Sequence, residues 1–139
     1  MPPEQPRADA PVRWLDNARA DLARARAPLP PGGLYEHFCF HAQQAAEKSL
    51  KAVLLQKGIE FPFTHNLRTL LNLLTNEMEV PPRLLQAALL NPYAVTTRYP
   101  GEMEPVTEDE YREAIRLAEM VVQWAEEIIG RGGSRHGSQ

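Results

Sequence analysis

Three groups of residues carry types and spacings that chemistry could use. His37 and His41 stand four apart in an apolar stretch, one helical turn, and two imidazoles at that spacing can share a metal ion. No carboxylate accompanies them on that face, so the pair is an incomplete site, with a polar or interfacial role as the plainer reading. No metal or other cofactor is expected. Glu47, Lys48 and Lys51 follow on the same stretch. Glu47 and Lys51 are spaced as a helical ion pair, worth about 0.2–0.5 kcal/mol on the solvated surface where the sequence places them. Arg98 and Tyr99 sit in a Pro-bounded segment, where the guanidinium could hold a phosphate while the ring stacks on a base. The same pair could equally pin a long loop to the body of the protein. His65, after FPFT, either orders the start of a helix or contacts a ligand.

These residues need a scaffold, and hydrophobic periodicity supplies one. Residues 1–11, with four prolines, read as a disordered arm, and 130–139 (GRGGSRHGSQ) as a disordered tail. Between them five helical segments follow. Residues 12–27 place Leu15, Ala18, Leu22 and Ala25 on one stripe before PLPPGG ends the helix. Residues 34–57 form a long central helix closed by Gly58. Its core side should hold Tyr35, Phe38, Cys39, Ala42, Ala45, Ala46, Ser49, Leu50 and Val53. The opposite side holds His37, His41, Gln44, Lys48 and Lys51 together with Phe40 and Leu55, a mixture that suggests a partner subunit.

A short third helix is capped by Thr64 or Asn66 and striped by Leu67, Leu70, Leu71 and Leu74. Pro81 and Pro82 open a fourth, burying Leu84, Leu85, Ala88 and Leu89. Residues 91–105 form a long connection. Thr107 to Glu110 then make a capping box that starts a last helix of about five turns, striped from Tyr111 to Ile129. No stretch alternates with a period of two. The expectation is an all-α, up-and-down bundle of four long helices plus one short helix over residues 12–129.

Composition narrows the function. The chain has 139 residues, enough for one core, and its formal charge of -3 gives no global pull toward nucleic acid. Any phosphate site must be a local cluster of Arg and Lys, and no DNA-specific motif is present. A single cysteine, Cys39, excludes an intrachain disulfide and reads as a buried, inert thiol. No signal peptide and no run of the ~20 apolar residues that a membrane span needs is apparent, so a cytoplasmic location is expected.

The blocks FHAQQAAEKSLKAVLLQKG (40–58), THNLRTLL (64–71) and TRYPGE (97–102), in that order, resemble the HEPN domain, the higher-eukaryote and prokaryote nucleotide-binding family. The opening WLDNARADLARA also fits, and the likeness covers about residues 12–129. It implies a bundle of four long helices with a short extra one, usually a homodimer, often encoded beside a small nucleotidyltransferase in a toxin-antitoxin-like pair. Some members are metal-independent RNases whose signature is Arg, four to six residues, then His. The Arg stabilises phosphate charge and the His moves a proton at the ribose.

Here Arg98 occupies the expected loop, but residues 99–108 contain no histidine. The literal match, Arg131 to His136, falls in the tail, which cannot hold the pair in reacting geometry. His65 or His41 would have to supply the imidazole. The resemblance therefore implies a nucleotide- or RNA-binding module rather than an enzyme. Its contacts would be Arg98, Tyr99, Lys48, Lys51, His41 and Gln44, with Phe40, Gln44 and Leu55 at a dimer interface. The alternatives are an RNase toxin using Arg98 and His65 or His41, and a non-catalytic dimeric scaffold.

Overall fold

The computed structural model describes residues 9–95 and 105–137, the side chains of 131–137 excepted. Four α-helices and one 3₁₀ helix follow one another: α1 (Ala10–Ala25), α2 (Tyr35–Gln56), α3 (Leu67–Glu77), the 3₁₀ helix Pro82–Ala94 and α4 (Glu108–Gly137). No strand occurs among the described residues. The all-α bundle expected from periodicity is what forms, with α2 at its centre in contact with each of the other four elements.

Local chemistry fixes the ends of these helices. Pro11 lies in the first turn of α1, where its missing N–H leaves no helical bond unmade. Gly58 takes φ +70°, which only glycine adopts without strain, and the N–H groups of Gly58 and Ile59 close on the carbonyls of Leu55 and Leu54. This double closure stops α2 and turns the chain into the FPFTH segment. Asn66 caps α3 by accepting from the Arg68 N–H at 2.9 Å. At α4 the Thr107 N–H donates to Glu110 Oε1 at 2.9 Å and the Glu110 N–H to Thr107 Oγ1 at 3.1 Å, the reciprocal box foreseen in the sequence. α4 continues through Gly130, where the sequence reading places the start of the tail.

Three expectations are corrected. The fourth helix is a 3₁₀ helix, and its period of three buries Leu84, Ala87 and Leu90. Leu85 and Leu89, assigned to the core from a 3.6-residue period, are 47% and 64% exposed. Pro92 inside the segment removes a backbone donor, and the tighter winding still presents one apolar edge. Second, the connection expected from residue 91 starts later, because 91–94 belong to this helix. Asn91 is a structural tie whose Oδ1 accepts the Leu67 N–H at 2.8 Å while its Nδ2 donates to Asn66 Oδ1.

Third, the outward side of α2 is narrower than expected. His37 is exposed and Phe40, His41, Gln44, Lys48 and Leu55 are partly exposed, but Lys51 is buried, and so are Gln43, Glu47, Ala52 and Leu54 beside most of the expected core side. α1 lies along the side predicted to be outward, with Tyr111 of α4 donating its hydroxyl proton to the Ala25 carbonyl at the end of α1. Cys39 is fully buried, as expected.

Candidate functional site

A helix enclosed on nearly every side should not carry charge inward unless each charge has a partner. α2 carries two buried arrangements of this kind. Asp21 of α1, only 3% exposed, points at α2 from within the apolar stripe of Leu15, Ala18, Leu22 and Ala25. Its Oδ2 accepts from Lys48 Nζ at 2.7 Å, and its Oδ1 lies 3.0 Å from His41 Nδ1 and 3.6 Å from an Arg24 guanidinium nitrogen. Lys48 and His41 are each partly exposed, so the acid is buried while its cations reach the surface.

The second arrangement centres on Glu47. Lys51 Nζ donates to its Oε2 at 2.9 Å, and His65 Nδ1 lies 3.0 Å and 3.1 Å from its two oxygens. Gln43, fully buried, donates through Nε2 to Glu47 Oε1 at 3.2 Å and to the His65 carbonyl at 3.1 Å. Its Oε1 in turn accepts from Gln44 at 2.7 Å. Lys51 is further enclosed by three rings, with Nζ 5.7 Å from the centroid of Trp14, 5.8 Å from Phe61 and 6.0 Å from Phe63. The Glu47–Lys51 pair exists as the spacing required, but it is buried and not the solvated pair the sequence suggested. Lys51, expected on an outward face, has 7% of its side chain exposed.

His65 therefore does not cap α3; Asn66 does, and the His65 ring ties the segment after α2 back onto Glu47. Each ionised carboxylate can only accept, so Nδ1 of His41 and of His65 carries the proton and Nε2 is the nitrogen left for a ligand or a proton. His37 is exposed and makes no pair with His41 through a shared acid. No group of three or more metal-ligating side chains exists among the described residues.

Beside the first arrangement lies a cleft of about 410 Å³ lined by Ala10, Arg13, Trp14, Asn17 and Lys48. Its described lining carries two cations, one aromatic wall and an amide, and no carboxylate. The Asn17 amide donates to the Arg13 carbonyl at 3.0 Å, which holds it in place. Arg13 is largely exposed, and its guanidinium lies 4.0 Å from Asp9, a contact weak in water.

Of the residues singled out in the sequence, the fold gathers His41, Gln44, Lys48, Lys51 and His65 along one flank of α2. Arg98 and Tyr99 lie outside the described residues, as do the side chains of Arg131 and His136. Phe40 and Leu55 are half-buried, Phe40 with its ring edge-on to His41. Sequence reasoning missed Asp21, Arg13, Trp14 and Phe63. Asp21 had a readable signal, since an acid in an apolar stripe must find a buried cation.

The family model named HEPN domain matches residues 12–128. Among solved structures, TT1696 from Thermus thermophilus is 35% identical and superposes with a TM-score of 0.74, covering 86% of this chain and 98% of its own. ST0689, an archaeal HEPN homologue, is also 35% identical, with a TM-score of 0.67, covering 85% and 97%. No curated protein sequence matches the chain significantly. With a family model that spans most of the chain and two solved structures that share its fold at 35% identity, the chain belongs to the HEPN domain family.

Proposed function

We propose that this HEPN domain binds a nucleotide or the end of an RNA through the cleft between α1 and α2, and that it works with a small nucleotidyltransferase as partner, not as a complete nuclease. The observation that carries this reading is the cleft lining. Arg13 and Lys48 offer positive charge to a phosphate, Trp14 offers a face to a base, and Asn17 a directed amide. Its volume falls within the ~300–1,000 Å³ usual for small-ligand sites. Asp21 holds Lys48 at a fixed position without itself lining the cleft, so the cation is preorganised. A homodimer built on Phe40, Gln44 and Leu55 is the assembly that fits the half-buried apolar groups on α2.

The experiment is thermal unfolding with and without nucleotide, alongside co-expression with a nucleotidyltransferase encoded next to the gene. A ligand at a hundred times its dissociation constant stabilises by ~2.7 kcal/mol, which moves a domain of this size by several degrees. Arg13→Glu, at an exposed position that leaves the core untouched, should abolish the shift. An unchanged melting temperature with every nucleoside mono-, di- and triphosphate, and no co-purifying partner, contradicts the proposal.

A second reading, RNase activity using Arg98, is supported by the two carboxylate-held imidazoles. His41 and His65 each keep Nε2 available, the arrangement a general base requires. It predicts growth arrest on expression that is relieved by Arg98→Ala and by His41→Ala or His65→Ala. RNA cleavage surviving all three substitutions sinks it.

A further inference from the structure

Phe63 is 96% exposed, the most exposed large apolar side chain described. An aromatic ring left in water forgoes the stabilisation its burial would contribute, although half-buried apolar groups such as Phe61 and Ile59 lie within a few residues. The backbone that carries it is fixed on both sides. Before it, Phe61 packs against the core. After it, Thr64 Oγ1 accepts the Asn66 N–H at 3.0 Å, and His65 is bound to α2 through both its ring and its carbonyl. The His65 ring, 5.9 Å away and edge-on, steadies the phenyl group itself. The ring is thus presented, not left loose.

Its position relative to the cleft gives the ring a purpose. Trp14, the aromatic wall of the cleft, and Phe63 both lie within 6.0 Å of the same ammonium group, Lys51 Nζ. Lys51 is already neutralised by Glu47 and enclosed by Trp14 and Phe61, so an exposed ring at 6.0 Å adds little to it. Two aromatic faces separated by one side chain, with Arg13 and Lys48 beside Trp14 in the cleft, form a short track of stacking surface and positive charge. That is the pattern by which single-stranded nucleic acid is held without sequence readout.

Resting on the cleft reading above, we infer that the ligand is a single-stranded oligonucleotide, one base stacking at Trp14 in the cleft and a neighbouring base on Phe63. The backbone phosphate between them meets Lys48 or Arg13. The rings and cations of the track meet bases and phosphates, which RNA and DNA strands share.

The test is fluorescence anisotropy with labelled hexaadenylate RNA and its DNA counterpart, set against AMP binding by calorimetry, for the wild-type chain and Phe63→Ala. Phe63 packs into no core, so its removal leaves the fold intact. The expected result is that at least one hexamer binds more tightly than AMP, and that Phe63→Ala weakens the hexamer about 5- to 100-fold, the worth of one stacked base. The RNA and DNA arms show which strand is preferred, and tight binding of either supports the inference.

If AMP binds but neither hexamer binds more tightly, or if Phe63→Ala leaves hexamer affinity unchanged, the inference is overturned and the cleft reading survives. If neither AMP nor a hexamer binds, the inference is overturned, and the cleft reading is decided by the other nucleoside phosphates. If Phe63→Ala changes the oligomeric state by light scattering while hexamer affinity holds, Phe63 is a subunit contact and the inference is overturned.

Discussion

Lys51 shows most directly what the buried charges of α2 demand. Its ammonium has one carboxylate, Glu47, and three aromatic rings around it. Removing the acid alone leaves an uncompensated buried cation, so Glu47→Ala should cost about 3–5 kcal/mol in denaturant unfolding. Glu47→Gln with Lys51→Met should recover most of that, because a neutral pair needs no counter-charge. If the double variant is no more stable than Glu47→Ala, the pair is not what the site requires. Tyr111 gives a residue-scale prediction in pH. Burial, then the neighbouring Tyr35, Cys39 and Glu119, hold its phenol above the ordinary value of 10.0. Since the unfolded chain gives up this proton first, the phenol's stabilising contribution is complete below pH 10.0 and is lost as pH rises toward the folded value. Tyr111→Phe should therefore flatten the alkaline fall in stability. At neutral pH it should cost about 0.5–1.5 kcal/mol for the lost bond to the Ala25 carbonyl. An alkaline limb identical in both proteins contradicts this account.

At the scale of elements, the sequence was most readable where periodicity and end signals agree. α1, α2 and α3 appear within a few residues of where Leu15 to Ala25, Gly58 and Asn66 place them, and α4 starts at the Thr107 box, because capping chemistry is local; the end of α4, which has no such signal, runs on to Gly137. The 3₁₀ helix was misread for a physical reason. Leu84, Leu85, Ala88 and Leu89 fit a 3.6-residue period and Leu84, Ala87 and Leu90 a 3.0-residue one, and only packing against the other helices selects between them. The observed winding makes a sharp prediction in the protein's thermal or chemical unfolding. Leu90→Ala, at a fully buried position, should destabilise by about 2–5 kcal/mol, whereas Leu89→Ala, largely exposed, should stay within about 0.5 kcal/mol. Equal costs at the two positions would restore the α-helical reading. α2 was misjudged in the same way. Its polar residues were legible, but their burial depends on α1 and on the segment after Gly58, which no periodicity within α2 reports.

For the whole molecule, the topology converts scattered sequence positions into one flank. Arg13 and Trp14 come from α1, Lys48 and Lys51 from α2, and Phe63 and His65 from the segment before α3. The motif blocks that carry the family likeness, Ala-Gln-Gln-Ala-Ala-Glu-Lys and Thr-His-Asn-Leu, turn out to be joined physically. Gln43 and Glu47 of the first hold His65 of the second. This part of the site was visible in the sequence as a motif but not as a contact. Arg13, Trp14 and Asp21 were not visible, because an aromatic and two charges on a solvent-spanning helix look ordinary until α2 lies against them. Whether this flank binds a nucleotide at the α1–α2 cleft is decided by calorimetric titration of the purified chain. Saturable binding of a nucleotide is expected at one site per chain, lost in Arg13→Glu and weakened by higher salt as phosphate contacts require. Heats indistinguishable from dilution for every nucleotide, or binding that Arg13→Glu leaves intact, would contradict it.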